Sequence, residues 1–225
     1  MIEFANVQER YEFLKSIPMK SDFKFKFIDN FDVSKIEKLL IEDGFSEDKW
    51  HNNFNPLLNE DGYVVWSELD RHQKPAKNDA SFRFIIKTAE SNNIENPLVI
   101  YSSKEDQHLL DAIQPIITRL EKEFGDEGKV TRAYFAKIVP GEIINPHTDS
   151  DLQNDFHQIY FRVTHKYHIP ITTNDGVWTQ IDGETKHFKI GECWDYNNNL
   201  IHSGGNKGET DRIHLIVEIS PYSWL

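Results

Sequence analysis

The chain has 225 residues, a length that suits one domain with a sizeable core. Its apolar fraction is 38%, but 15 Phe, 8 Tyr and 5 Trp supply enough large side chains to exclude a mainly disordered protein. A net charge of −12 argues against a nucleic-acid partner, and a single cysteine excludes a disulfide framework.

The opening stretch, MIEFANVQERYEFLKS, has no basic start and no continuous apolar run, so no signal peptide is expected. No segment approaches the ~18 apolar residues of a membrane span. The expectation is a cytoplasmic protein with no membrane partner. In chain order, residues 5–16 read as a short helix. Residues 31–44 read as a stronger one, with Asp32 or Ser34 as cap, a stripe of Ile36, Leu39, Leu40 and Ile41, and Gly44 at the end. A polar, turn-rich stretch follows from Trp50 to Lys77, broken by the strand-like island YVVW. Residues 82–87 and 97–101 read as short strands. Residues 104–124 carry Leu109, Leu110, Ile113, Ile116, Ile117 and Leu120 at helical spacing, with Pro115 expected to kink or split the helix.

After Gly125 the pattern becomes β-rich. Strand-like runs at 129–139, 158–171, 176–181, 185–190, 191–196 and 212–220 are separated by turn signals such as PG, TTNDG, IDGE, NNN and SGGNKG. Many short strands at near-regular spacing imply a sandwich or barrel. The expected organisation is an N-terminal helical and mixed elaboration, residues 1–125, packed on a β core, residues 126–225, within one compact domain. Cys193, in a strand-like run between Glu192 and Trp194, reads as a buried structural thiol.

The stretch NPHTDSD, residues 145–151, places His147 and Asp149 two apart. His-x-Asp alone is a weak motif in a chain with 10 His and 37 acidic residues. His202, in NNNLIHSGG, changes its weight. Two histidines and a carboxylate on one side of a small β-barrel form the facial triad of non-haem Fe(II) oxygenases, which hold one face of an octahedral ion and leave the other open. Residues i and i+2 share a face of a strand, so His147 and Asp149 converge easily. Arg212 lies downstream at the start of IHLIVEI. A buried arginine near such a site suits the distal carboxylate of 2-oxoglutarate, and a salt bridge to Glu209, Asp211 or Glu218 is the plainer alternative.

The blocks PGEIINPHTD, KYHIPITTND and GECWDYNNNLIHSGGNKGETDRIHLIVEI, in this order, resemble the aspartyl/asparaginyl β-hydroxylase family of 2-oxoglutarate-dependent oxygenases. The resemblance covers roughly residues 129–220. It implies a double-stranded β-helix, or jelly roll, and a reaction that uses Fe(II), 2-oxoglutarate and O₂. It further implies that His147, Asp149 and His202 bind iron, that Arg212 binds the 5-carboxylate of 2-oxoglutarate, and that His168 helps to hold the cosubstrate. Family members often carry arginine two residues before that histidine. This chain has Lys166, which pairs with a carboxylate as a point charge but offers no bidentate fork. Arg162, four residues earlier on the expected strand, is a possible substitute.

The implied activity is hydroxylation of an amino-acid-type substrate, either a peptide Asp/Asn side chain or a free amino acid, with release of succinate and CO₂. A small metabolite remains open as substrate. So do a cupin-like protein using another divalent metal and a non-catalytic binding module with the same fold. Arg162 and Trp178 are candidate substrate contacts, with core packing the alternative for Trp178, Trp194 and Tyr196. His157, His165, His187 and His214 read as surface or strand histidines. The acidic loop at 150–155 lies beside the expected ligands and could form a lid.

Overall fold

The computed structural model describes residues 23–42, 57–58, 64–65, 81–90, 99–102, 107–149 and 162–221, with positions 9, 12, 13 and 16. Those four positions are helical, within the first expected helix. The further elements are β1 (Phe25–Asn30), α1 (Ser34–Glu42), β2 (Leu57–Leu58), β3 (Val64–Val65), β4 (Ser81–Glu90), β5 (Val99–Ser102), α2 (Gln107–Glu121), β6 (Lys129–Ile138) and β7 (Ile143–His147). After these come β8 (His165–Thr172), β9 (Val177–Ile181), β10 (Glu184–Lys186), β11 (Glu192–Tyr196), β12 (His202–Asn206) and β13 (Arg212–Ser220). No helix among the described residues is long and apolar enough to cross a membrane.

Strands β6 to β13 are divided between two sheets. Four of them run β11-β8-β13-β6 in a seven-stranded sheet, and the other four form the sheet β10-β9-β12-β7. This interleaving is a double-stranded β-helix, as the family resemblance implies. The N-terminal half enters the same architecture, with β1 paired to β11 and β4 to β6.

Side-chain parity divides the large sheet into two chemically different faces. Ile213, Leu215, Val217 and Ile219 of β13 join Tyr167, Ile169 and Ile171 of β8 in an apolar core with Cys193. Helix α1 covers this face with Val33, Ile36 and Leu40, and α2 with Leu109, Ile113, Ile116, Ile117 and Leu120. The intervening positions, Arg212, His214, Ile216 and Glu218 on β13 and Lys166 and His168 on β8, are also buried. They occupy the other face, inside the roll. Cys193 is therefore a core side chain, and burial pushes its thiol pKa up, against any nucleophilic role.

Two local expectations are corrected. Pro115 does not split α2, which runs unbroken from Gln107 to Glu121. Pro115 itself is exposed, so the carbonyl it leaves unpaired lies on the solvent side, while apolar residues on both flanks stay in the core. SGGN, read as part of a turn, is instead strand β12, paired on both edges by β9 and β7. A Cβ on Gly205 would lie 2.9 Å from Nε1 of Trp178 and from Cγ2 of Ile143, so the strand needs glycine where two side chains close over it. At the head of α1, the Ser34 side chain and, secondarily, its backbone N–H hydrogen-bond the Asp32 carboxylate and lower its pKa.

Candidate active site

The small sheet brings the two histidines together. His147 ends β7 and His202 begins β12, and they are direct cross-strand partners with ring centroids 4.3 Å apart. Asp149 follows β7, and its backbone N–H donates to the carbonyl of Asn198 at 3.0 Å. Asn197, Asn198 and Asn199 are buried. The triplet forms the turn its sequence implies, with the Leu200 N–H on the carbonyl of Asn197 at 3.1 Å, and this turn also seats the carboxylate. Within it, the Asn197 side-chain oxygen accepts from the Asn199 N–H, and the Asn199 amide donates to the carbonyl of Arg162.

Ligand atoms of His147, Asp149 and His202 all lie within 4.8 Å of one another. Nε2 of each histidine is 3.6 Å from Oδ1 of Asp149. Both histidine Nε2 atoms thus face the same carboxylate oxygen, and the three side chains could hold one ion between them. Each ring is held by its other nitrogen, since Nδ1 of His147 donates to the carbonyl of Asn145 at 2.8 Å and Nδ1 of His202 to that of Leu200 at 2.9 Å. This leaves both Nε2 lone pairs for a metal. Two neutral imidazoles and one carboxylate oxygen fit Fe(II).

Lys166 donates to the other carboxylate oxygen, Oδ2 of Asp149, at 2.8 Å. Burial alone would raise the Asp149 pKa. The Lys166 charge and the two histidines outweigh it and hold the carboxyl well below its usual range. Burial likewise opposes the charge on Lys166, and Asp149, first among its neighbours, keeps it charged. Hydrogen bonding to Asp149 raises His147, with burial opposing. Behind Lys166 stands Glu218, 4.0 Å away, with Arg132 at 3.6 Å from it.

Arg212 is buried, and its Nε has no hydrogen-bond partner. No carboxylate among the described residues pairs with it, and Glu218, one of the expected alternatives, is engaged by Arg132 and Lys166 instead. Burial pulls the guanidinium pKa down to about 10, which still leaves it charged at neutral pH. Nε2 of His168 and Nε2 of His214 are also buried without partners. Tyr196 closes the gap to the metal side, with its ring 4.3 Å from His168 and 5.1 Å from His202. A buried guanidinium that has no carboxylate partner among the described residues and keeps an unpartnered Nε fits a ligand that brings its own carboxylate.

Other expected residues fall elsewhere. Arg162 sits in a helical turn before β8, so the strand alternation that aligned it with Lys166 does not reach it. Trp178 pairs with Gly205 on the outer face of β9, whereas Val177, Thr179 and Ile181 share the inner face with His202. Lys207 lies 6.0 Å over the Trp178 ring. His165 bonds Asp195, and His187 bonds the carbonyl of Val177. His157 and the loop at 150–155 lie outside the described residues. His214 is a strand histidine as read, but it is wholly buried.

A family profile described as aspartyl/asparaginyl beta-hydroxylase matches residues 63–221. The chain belongs to this family. The hydroxylase family places it among the Fe(II)/2-oxoglutarate-dependent oxygenases, with O₂ as the third reactant, and the donor set above is the one such chemistry needs. A search of curated proteins finds no match. Solved structures show the same fold. An oxidoreductase of the 2OG-Fe(II) oxygenase family from Burkholderia pseudomallei aligns with a TM-score of 0.52 at 9% identity, covering 100% of this chain and 95% of its own. The viral collagen prolyl hydroxylase of Paramecium bursaria Chlorella virus-1, solved with 2-oxoglutarate, aligns with a TM-score of 0.50 at 14% identity, covering 88% and 96%.

Proposed function

We propose that this β-hydroxylase family member hydroxylates a C–H bond of an amino-acid-type substrate, a peptide Asp/Asn side chain or a free amino acid. The observation that carries the reading is the convergence of His147, Asp149 and His202 in one chamber with the unpaired Nε of Arg212. The family's description supports the substrate class. So does the charge of the chamber, where Arg132, Lys166 and Arg212 meet Asp149 and Glu218. Before any metal binds, the cations on these residues outnumber the anions, which suits carboxylate-bearing ligands.

When bound, Fe(II) and 2-oxoglutarate supply the oxidising chemistry, with O₂ divided between succinate and the new hydroxyl and CO₂ released. The chain's residues prepare this. His147, His202 and Oδ1 of Asp149 hold the metal, while Lys166 occupies Oδ2 and keeps the carboxylate turned. Arg212, with the histidines packed beside it, receives the distal carboxylate. The side chain of His147 is 44% exposed, against 6% for His202, so the triad opens to solvent on the β7 side, where a substrate would enter. No protein nucleophile is needed.

The test is anaerobic titration of Fe(II) and 2-oxoglutarate, followed by their visible charge-transfer band, in wild type, His202→Ala and Arg212→Ala. The band should vanish in His202→Ala and require far more 2-oxoglutarate in Arg212→Ala. Succinate release stimulated by peptides bearing Asp or Asn, or by free amino acids, would support the substrate class. Stimulation by neither, with the band intact, would overturn it.

A further inference from the structure

One rung of the large sheet carries three charges. Glu218 of β13 is the cross-strand partner of Arg132 on β6 and of Lys166 on β8. Cross-strand partners point to the same face, so all three side chains lie inside the roll. Lys166 in turn meets Asp149. The signs alternate along this row: positive at Arg132, negative at Glu218, positive at Lys166 and negative at Asp149. Its last member belongs to the metal triad.

The contacts in the row are unequal. Lys166 Nζ donates to Oδ2 of Asp149 at 2.8 Å but stands 4.0 Å from Oε1 of Glu218. Nη1 of Arg132 is 3.6 Å from Oε2 of Glu218. Glu218 is 1% exposed, yet neither of its oxygens accepts a hydrogen bond. A buried anion without a donor is costly, so Glu218 pulls on the two cations beside it. Lysine is a point charge with three donors on a flexible stem, and it can answer that pull while still bonding Asp149. A divalent ion on Oδ1 of Asp149 adds a second demand, because it repels the ammonium that shares the same carboxylate.

We propose that Glu218 is a positioning residue for the metal centre. It restrains and balances the Lys166 ammonium, so that Asp149 can serve Lys166 through one oxygen and a divalent ion through the other. Arg132 opposes this by competing for Glu218. The strength of metal binding is thus set three charges away from the triad, across adjacent strands. The assignment rests on the oxygenase reading above.

The test is Zn(II) affinity, measured by competition with a chelator, with no oxo acid and no turnover. Glu218→Gln keeps the shape and removes the charge, and Zn(II) affinity should fall about tenfold, the scale of losing a group that orients a metal ligand. Arg132→Gln leaves Glu218 to Lys166 alone, and affinity should rise severalfold. The opposite signs separate the proposal from damaged packing, which would lower both. In a Lys166→Met background Glu218→Gln should cost much less, because the ammonium it acts through is gone. Unchanged affinity in Glu218→Gln, or an equal loss with and without Lys166, would overturn the assignment. Wild-type protein that binds no Zn(II) would instead overturn the triad and the oxygenase reading beneath it. If Glu218→Gln does not fold, Arg132→Gln decides, and an unchanged or lowered affinity there is the contrary result.

Discussion

Lys166 Nζ and Asp149 Oδ2 lie 2.8 Å apart, both side chains largely buried, so the one carboxylate of the metal triad already has an internal counter-charge. Removing that lysine strands a buried anion. Lys166→Met should destabilise the metal-free protein by about 3–5 kcal/mol. Only the two histidines then remain beside Asp149, and a divalent ion becomes its strongest available counter-charge. Saturating Ni(II) should therefore raise the melting temperature more in Lys166→Met than in wild type. A smaller rise in the variant would refute this account of the pair.

Arg212 poses the opposite case, a buried cation with no carboxylate partner among the described residues. Its burial opposes folding until a ligand brings the missing charge. Arg212→Met should leave the ligand-free protein as stable as wild type or more so, by about 1–3 kcal/mol. The same variant should lose the stabilisation that 2-oxoglutarate gives to metal-loaded wild type. Denaturant unfolding with and without the oxo acid reads both effects, and a clear loss of ligand-free stability would contradict the first.

The pKa values of His168 and His214 are both depressed by burial, with the Arg212 charge next. As pH falls through the unfolded value of 6.5, the unfolded chain takes up protons that the folded chain refuses. Their contribution is fully present above that pH and is lost as pH drops toward the folded values. Each histidine removes up to about 1.4 kcal/mol per pH unit. Stability of the metal-free protein, measured between pH 7.5 and 5.5, should fall less steeply in the His168→Gln, His214→Gln double variant. His147, raised by Asp149, acts with the opposite sign in both proteins and cancels from the comparison. Equal slopes would show that these rings take up protons in the folded state.

Gly205 lies under Trp178 and Ile143, with no room for a methyl group. Gly205→Ala should cost about 1–3 kcal/mol through overpacking. The damage should appear in thermal unfolding, with metal affinity little changed, because the inner face of β12 carries His202 and the outer face carries the clash. A large loss of metal affinity at unchanged stability would contradict that separation of faces.

The triad was legible because a metal clamp demands particular residue types at particular strand positions, and His147, Asp149 and His202 satisfy both. Arg212 was legible for a related reason, since an arginine among apolar strand residues needs an anion. His214 was not singled out, because a histidine in a strand reads alike whether it faces water or a chamber. The usable clue was its spacing of two from Arg212, which places both on one face. Lys166 was read as a weaker cosubstrate contact, and only the folded register shows it against Asp149. SGGN misled because turn-forming residues also serve where backbones must approach closely. The helix is not split at Pro115 because tertiary packing on both sides outweighed a local break.

The two faces of β13 bear on how the chain finds its register. Its odd-numbered positions are oily and its even-numbered ones largely ionic or polar, and both sets are buried. A slip of one residue would push Arg212, His214 and Glu218 against the leucines and isoleucines of α2, and leave Ile213 and Leu215 facing the chamber. A half-buried strand that slips merely exposes some oil to water, but here every misregistered charge would be stranded. The groups that equip the chamber for catalysis thus also proofread the assembly of the strand that carries them.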